Sequence, residues 1–148
     1  MPPTVKDVSF ATTLMVRDTC LCLALQRAAR TLARVFDEAL QPLGLTNGQF
    51  SLLMSLNRPS APPMGPVADL LGMDRTTLTA ALKPLRRRGL VKVTVAPEDR
   101  RGRLLALTPA GRKLLARALP LWKRHHRELE KRLSAPDMLR SDLMVLAR

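Results

Sequence analysis

A chain of 148 residues, 46% of them apolar, is long enough to bury one sizeable core and too apolar for a disordered polyelectrolyte, so a single folded domain over residues 1–148 is expected. Its 25 lysines and arginines against 12 carboxylates leave a formal charge of +13, which favours a polyanionic partner, nucleic acid before an anionic membrane. Three phenylalanines, one tryptophan and no tyrosine supply few of the stacking platforms that single-strand and RNA binders use, so duplex DNA fits better.

Residues 1 to about 17 are weakly patterned, are expected to be loosely held, and lack the apolar centre of a secretory signal. The longest apolar run near the start, Cys20 to Leu25, is far too short to span a bilayer. A cytoplasmic protein with reduced thiols and no membrane partner is expected. From Asp18 or Thr19 as N-cap, Leu21, Leu25, Ala28, Leu32, Val35, Phe36 and Leu40 recur at helical spacing, with Arg27, Arg30 and Arg34 between them. Within such a helix Cys20 and Cys22 would face different sides and could not bridge without unwinding it. The helix should stop before Pro42, with Gly44 marking the turn. Thr46 and Gln49 form a capping box that opens a second helix through Phe50, Leu52, Leu53, Met54 and Leu56. Arg58 to Pro66 is proline-rich and reads as a linker, with a weak signal for an edge strand.

Pro66 to Leu71 predicts a short helix, closed by Gly72 in a left-handed turn. Asp74 caps the next helix, whose buried stripe is Leu78, Ala81, Leu82 and Leu85. Arg75, Thr76, Thr79, Ala80 and Lys83 face the other way, and Thr77 adds a further hydroxyl. Pro84 removes one backbone bond and should kink this helix, which Gly89 ends. Leu90–Val95 and Arg103–Leu107 read as strands, with Pro97–Gly102 as the loop between them. Thr108 is an N-cap with Pro109 at the first helical position, and a long helix should follow to about Leu133, bent at Pro120. A last helix restarts at Ser134–Asp137 and carries Met138, Leu139, Leu143, Val145 and Leu146.

Between Arg75 and Arg103 nine side chains are basic and two, Glu98 and Asp99, are acidic. An α-helix fits the major groove, where each base pair presents its own donor and acceptor pattern. Short polar and basic side chains on its outer face permit close approach, so Arg75, Thr76, Thr77, Thr79 and Lys83 are candidate DNA contacts. The bland alternative is a solvated helix face. The hairpin argues against it: Arg100, Arg101 and Arg103 crowd the tip beside Gly102 and repel one another unless an anion receives them. A narrow minor groove is such an anion. Asp99 among them would orient an arginine by a salt bridge rather than touch DNA.

The segments LGMDRTTLTAALKPLRRRGLV and DRRGRLLALTPAG resemble the winged helix-turn-helix of the multiple-antibiotic-resistance regulator (MarR) family. The family's wing signature is matched by Asp99, Arg101 and the block Leu107-Thr-Pro-Ala-Gly111, and Leu43-Gly-Leu-Thr46 with Gln49 is similar to the opening of its second helix. The resemblance runs from about residue 20 to the end. It implies a mainly α fold with a small β-hairpin wing (α+β). Residues 46–108 would form a DNA-binding lobe with the wing at 90–107, and 18–40 and 109–148 would supply N- and C-terminal dimerisation helices. It further implies a homodimer, a wing arginine at Arg101 in the minor groove, and most often a repressor. Excess apolar residues on the terminal helices agree with a dimer on their own account, which would set two reading helices about one DNA turn apart. Pro84 is less usual for the family.

Cys22, in LCLAL, is similar to the cysteine of the hydroperoxide-sensing branch of this family, and a first-turn position favours thiolate. That branch holds its cysteine with tyrosines, which this chain lacks, and a small buried hydrophobe is the alternative role. His125 and His126 have no ligand partner at metal spacing, and no nucleophile–base pair or phosphate loop is present, so neither a cofactor nor an enzyme is expected. A small-molecule effector would sit in the crevice between the dimer helices and the reading lobe, with Phe50 and Leu53 near Cys22 as guesses. The rivals are an architectural DNA-binding protein without effector and, more distantly, a thiol enzyme using Cys22.

Overall fold

Seven side chains, Leu40, Leu52, Leu53, Val67, Leu78, Leu85 and Leu105, are almost wholly sealed from solvent, and they come from five different elements. The computed structural model describes residues 7–148. In chain order these form α1 (Phe10–Thr19), α2 (Leu21–Leu40), a 3₁₀ turn (Gln41–Leu43), α3 (Asn47–Ser55), α4 (Met64–Leu71) and α5 (Arg75–Arg87). The antiparallel hairpin β1 (Val91–Ala96) and β2 (Asp99–Leu107) follows, then α6 (Pro109–Glu130) and α7 (Pro136–Leu146).

The local chemistry explains most boundaries. Thr46 and Gln49 make both halves of the capping box at the start of α3. Gly44 and Gly72 each adopt φ of 64°, the left-handed conformation that ends a helix without a Cβ clash. Thr108 caps α6, accepting the Gly111 N–H at 3.0 Å, with Pro109 in the first turn. α5 continues through Pro84 to Arg87 and α6 through Pro120 to Glu130, three residues short of the expected Leu133.

Four expectations need correction. The lead-in was expected to be loosely held, but its residues 10–19 form α1, capped by the Ser9 hydroxyl, while residues 1–6 lie outside the described part. The cap of α2 is Cys20, not Asp18 or Thr19: its Sγ accepts the Leu23 N–H at 3.4 Å. Cys20 is extended and lies between two helices, so the premise that both cysteines share one helix does not hold. The edge strand weakly signalled in the Arg58–Pro66 linker is present as a stub, and what changes is where α4 starts. Leu105 N–H donates to Pro62 at 2.9 Å, Pro63 bridges Leu104, and α4 therefore begins at Met64 rather than Pro66. The hairpin is also longer than expected, because β2 reaches Asp99 and leaves Pro97 and Glu98 as the turn. Val95 pairs with Arg103 and Ala96 with Asp99, so Arg100, Arg101 and Gly102 bulge from the ladder.

The core divides the molecule unequally. α3, α4, α5, the hairpin base and part of α6 share one cluster, which α2 joins through Leu40. α1 and α7 contribute no buried residue, and α2 only Ala39 and Leu40. Leu32, Leu139 and Leu143 stay exposed along a groove of about 740 Å³ between α2, α6 and α7, and Leu21, Met138 and Leu146 are exposed elsewhere on α2 and α7. No helix among the described residues is long and apolar enough to cross a membrane.

Two contacts fix how the pieces sit. Gly111 is buried where α6 crosses the hairpin base, and a Cβ there would stand 2.1 Å from the Leu90 carbonyl oxygen. Gly111→Ala should therefore destabilise the fold by about 2 kcal/mol or more in urea unfolding, against the gain expected of alanine in an open helix. Asp37 on α2 accepts both the backbone N–H (2.7 Å) and the side-chain amide (2.8 Å) of Asn47, tying α2 to the start of α3. Those bonds hold the Asp37 carboxyl below its ordinary range, the backbone bond contributing most. A depressed folded-state value means that stability is present above the unfolded pKa and lost as pH falls through the folded one. Asp37→Ala should cost about 1 kcal/mol at neutral pH, with a deficit that shrinks in acid below about pH 4. Parallel denaturant titrations of the two proteins read this directly.

Candidate nucleic-acid interface

α5 is built to show one face. Leu78, Leu82 and Leu85 are buried, which turns Arg75, Thr76, Thr79, Ala80 and Lys83 outward, all of them exposed. Asp74 starts the helix by accepting the Thr77 N–H at 2.7 Å, and these bonds hold its carboxyl below the usual range. Thr77 is exposed but engaged with that cap through its backbone N–H. Thr79 donates its hydroxyl to the Arg75 carbonyl at 2.8 Å, so it offers a methyl group and a lone pair, not a free donor. Arg75 lies over the first turn of α4: a Cβ on Gly65 would meet its Nη2 at 3.3 Å.

The hairpin tip separates its arginines by task. The Arg103 guanidinium turns back and donates to the Arg100 (2.9 Å) and Gly102 (3.1 Å) carbonyls, satisfying the bulge. Asp99 forms no ion pair among the described residues; its carboxylate accepts the Arg101 backbone N–H at 2.9 Å. The expected salt bridge is thus replaced by a turn-shaping bond, which leaves the Arg101 side chain projecting. Gly102 admits the fold of the tip because a Cβ there would stand 3.1 Å from Ala96 and 3.3 Å from the Asp99 carbonyl. Arg100 and Arg101 are exposed.

The α5 face and the tip belong to one rigid lobe, joined through the buried run Leu85, Leu90 and Val91. Sequence reasoning passed over Arg86 and Arg87, which flank Lys83 in a shallow basic cleft on the last turn of α5. Both lie beyond Pro84, where a kink was expected; α5 runs on through it to Arg87. Arg88, next in sequence, is structural: it donates to the Gly44 carbonyl at 2.6 Å.

The expected effector residues fall apart. Cys22 is exposed in the first turn of α2, and its sulfur receives the Gln26 amide at 3.3 Å. Leu53 is wholly buried and unavailable to a ligand. Phe50 stacks on Trp122 (centroids 6.1 Å apart) and lines a cleft of about 360 Å³ with Met54, Leu70, Leu71 and Leu119, between α3, α4 and α6. His126 also stacks on Trp122, at 4.4 Å, and lies 3.8 Å from Glu130.

The sequence profile of the MarR family matches residues 43–102, from the 3₁₀ turn to the hairpin tip. The multiple antibiotic resistance protein MarR of Escherichia coli is 31% identical over 106 residues, covering 71% of this chain and 74% of that protein. The transcriptional activatory protein BadR of Rhodopseudomonas palustris is 33% identical over 62% of this chain, a match spanning only 54% of BadR. Among solved structures, the Mycobacterium tuberculosis regulator MosR in complex with DNA is 38% identical, with a TM-score of 0.80 over 86% of this chain and 93% of MosR. The repressor CouR bound to a 23-mer DNA duplex is 34% identical, also at 0.80, over 97% of this chain and all of CouR. These relatives are transcriptional regulators and not enzymes. A hairpin packed beside a capped, outward-facing helix, together with these likenesses, makes this chain a winged-helix, DNA-binding transcriptional regulator of the MarR family.

Proposed function

We propose that the chain acts as a homodimeric repressor on a pseudo-palindromic operator. In each protomer α5 reads the major groove through Arg75, Thr76, Thr79, Ala80 and Lys83, and the wing sets Arg101, with Arg100 beside it, in the adjacent minor groove. The carrying observation is the division of labour at the tip: Arg103 and Asp99 are consumed in shaping the bulge, so the Arg101 charge is held outward with no protein partner among the described residues. Thr77, Arg103 and Asp99 then support the interface without reading bases.

The dimer rests on the exposed apolar residues of α1, α2 and α7, too many for a monomer to leave in water. CouR, named a repressor, matches nearly the whole chain, whereas the activatory BadR matches a shorter part, and this favours repression. Switching would use the cleft at Phe50, Leu70 and Trp122, since it lies between α6 and the reading lobe. An apolar ligand there would favour one angle between the lobes, and it acts only through its different affinity for the two arrangements. Oxidation of Cys22 is the second reading, favoured by its exposure at the start of a 20-residue helix.

Arg101→Ala should weaken operator binding by roughly 10-fold or more while leaving dimerisation and thermal stability unchanged. An unaltered dissociation constant removes the wing from the mechanism. The two switch readings separate in one experiment on the protein–operator complex. Release by a small uncharged aromatic compound with quenching of Trp122 supports the cleft. Release by peroxide that Cys22→Ser abolishes supports the thiol.

A further inference from the structure

α6 carries Arg112, Lys113, Arg117, Lys123, Arg124 and Arg127 on its solvent side, and every one is exposed. No carboxylate occurs between Pro109 and Arg127. Lys113 and Arg117, Lys123 and Arg127, and Arg124 and Arg127 stand three or four residues apart, the spacing at which like charges destabilise a helix. Arg112 donates to the Leu107 carbonyl at 2.9 Å; the other five form no hydrogen bond or ion pair among the described residues. The other long helix is closer to balance: α2 sets Asp37 and Glu38 against three arginines, whereas α6 has only Glu128 and Glu130, both in its last turn, against six cations. A self-repelling face is tolerable when an anion covers it.

We infer that this face of α6 is a second DNA-backbone surface, which holds the duplex flanking the site engaged by α5 and the wing. From Arg112 to Arg127 the cations run for about 23 Å, roughly two thirds of a turn of B-DNA, so they can follow phosphates along a groove edge. It is continuous with the reading lobe, because α6 starts at the hairpin base, where Thr108 bonds Gly89 at 2.6 Å and Arg112 bonds Leu107. Only Ala116 and Pro120 lie between the cations, so no large apolar side chain is available to enter a lipid surface. No aromatic side chain shares that face to stack unpaired bases, which favours duplex over single strands. Flanking DNA would have to bend towards α6, and phosphate neutralisation on one side promotes that bend.

The inference starts from the docking of α5 and the wing, and its test keeps the two apart. A duplex selected from genomic fragments is prepared at about 60 bp and trimmed to about 24 bp around the same centre. Arg117→Gln with Arg124→Gln should weaken binding to the long duplex about tenfold or more. It should also make its salt dependence shallower by about 3 to 4 in log–log slope, leaving the short duplex unaffected. Arg117→Lys with Arg124→Lys, which keeps the charge, should bind both as the wild type does. Equal loss on both lengths, no loss on either, or loss in the charge-keeping variant overturns the inference. So does a deficit confined to phosphatidylserine vesicles. Arg101→Ala, by contrast, should fail on both lengths, and its failure to do so would discredit the central docking instead.

Discussion

The relation between α5 and the wing is fixed at one junction, where the end of α5, the hairpin base and the start of α6 meet. Leu90 donates its N–H to Leu85 at 3.0 Å, and its carbonyl receives the Thr108 N–H at 3.1 Å. The Thr108 hydroxyl reaches Gly89, whose φ of 69° turns the chain out of α5 and into β1. Gly111 packs against the Leu90 carbonyl so closely that no side chain fits between. Backbone geometry, more than side-chain packing, therefore sets the angle at which the arginine-tipped hairpin leaves the helix. A reader that must enter two grooves at once requires that angle to be rigid.

Outside the junction, charge is sorted by use. Arg88 and Arg112 are tied to backbone carbonyls, and Arg140 bridges Glu130 and Asp137 to link α6 with α7. Arg103 closes the tip. What remains exposed lies on α5, the tip and α6, with Arg27, Arg30 and Arg34 on α2, while the apolar excess lies on α1, α2 and α7. The reading lobe thus suits a polyanion, and the apolar faces of α1, α2 and α7 suit a second copy. A net charge of +13 is a poor guide to function until it is divided in this way.

Much of this was legible in the sequence because it rests on local chemistry. Caps at Thr46, Asp74 and Thr108, left-handed glycines at 44 and 72, and the leucine stripe of α5 each announce themselves within a few residues. α1 escaped because Phe10, Leu14, Met15 and Val16 spread around the helix and give no one-sided period. The hairpin was read too short because arginines and a glycine resemble loop, although Asp99 pairs with Ala96 and extends the ladder past the bulge they form. The Asp99 bond to a backbone N–H and the return of Arg103 are choices among partners a few ångströms apart, which composition cannot decide. Leu53 as an effector contact failed for a related reason: periodicity marks a helix face as apolar without showing whether core or cleft lies beyond it.

The account depends above all on a basic, outward-facing lobe that docks on duplex DNA. The direct measurement is the affinity of the full chain for its operator duplex between about 50 and 200 mM salt. Six to ten phosphate contacts per dimer predict a fall of roughly 10³–10⁵ across that range. A dissociation constant that barely moves would contradict it.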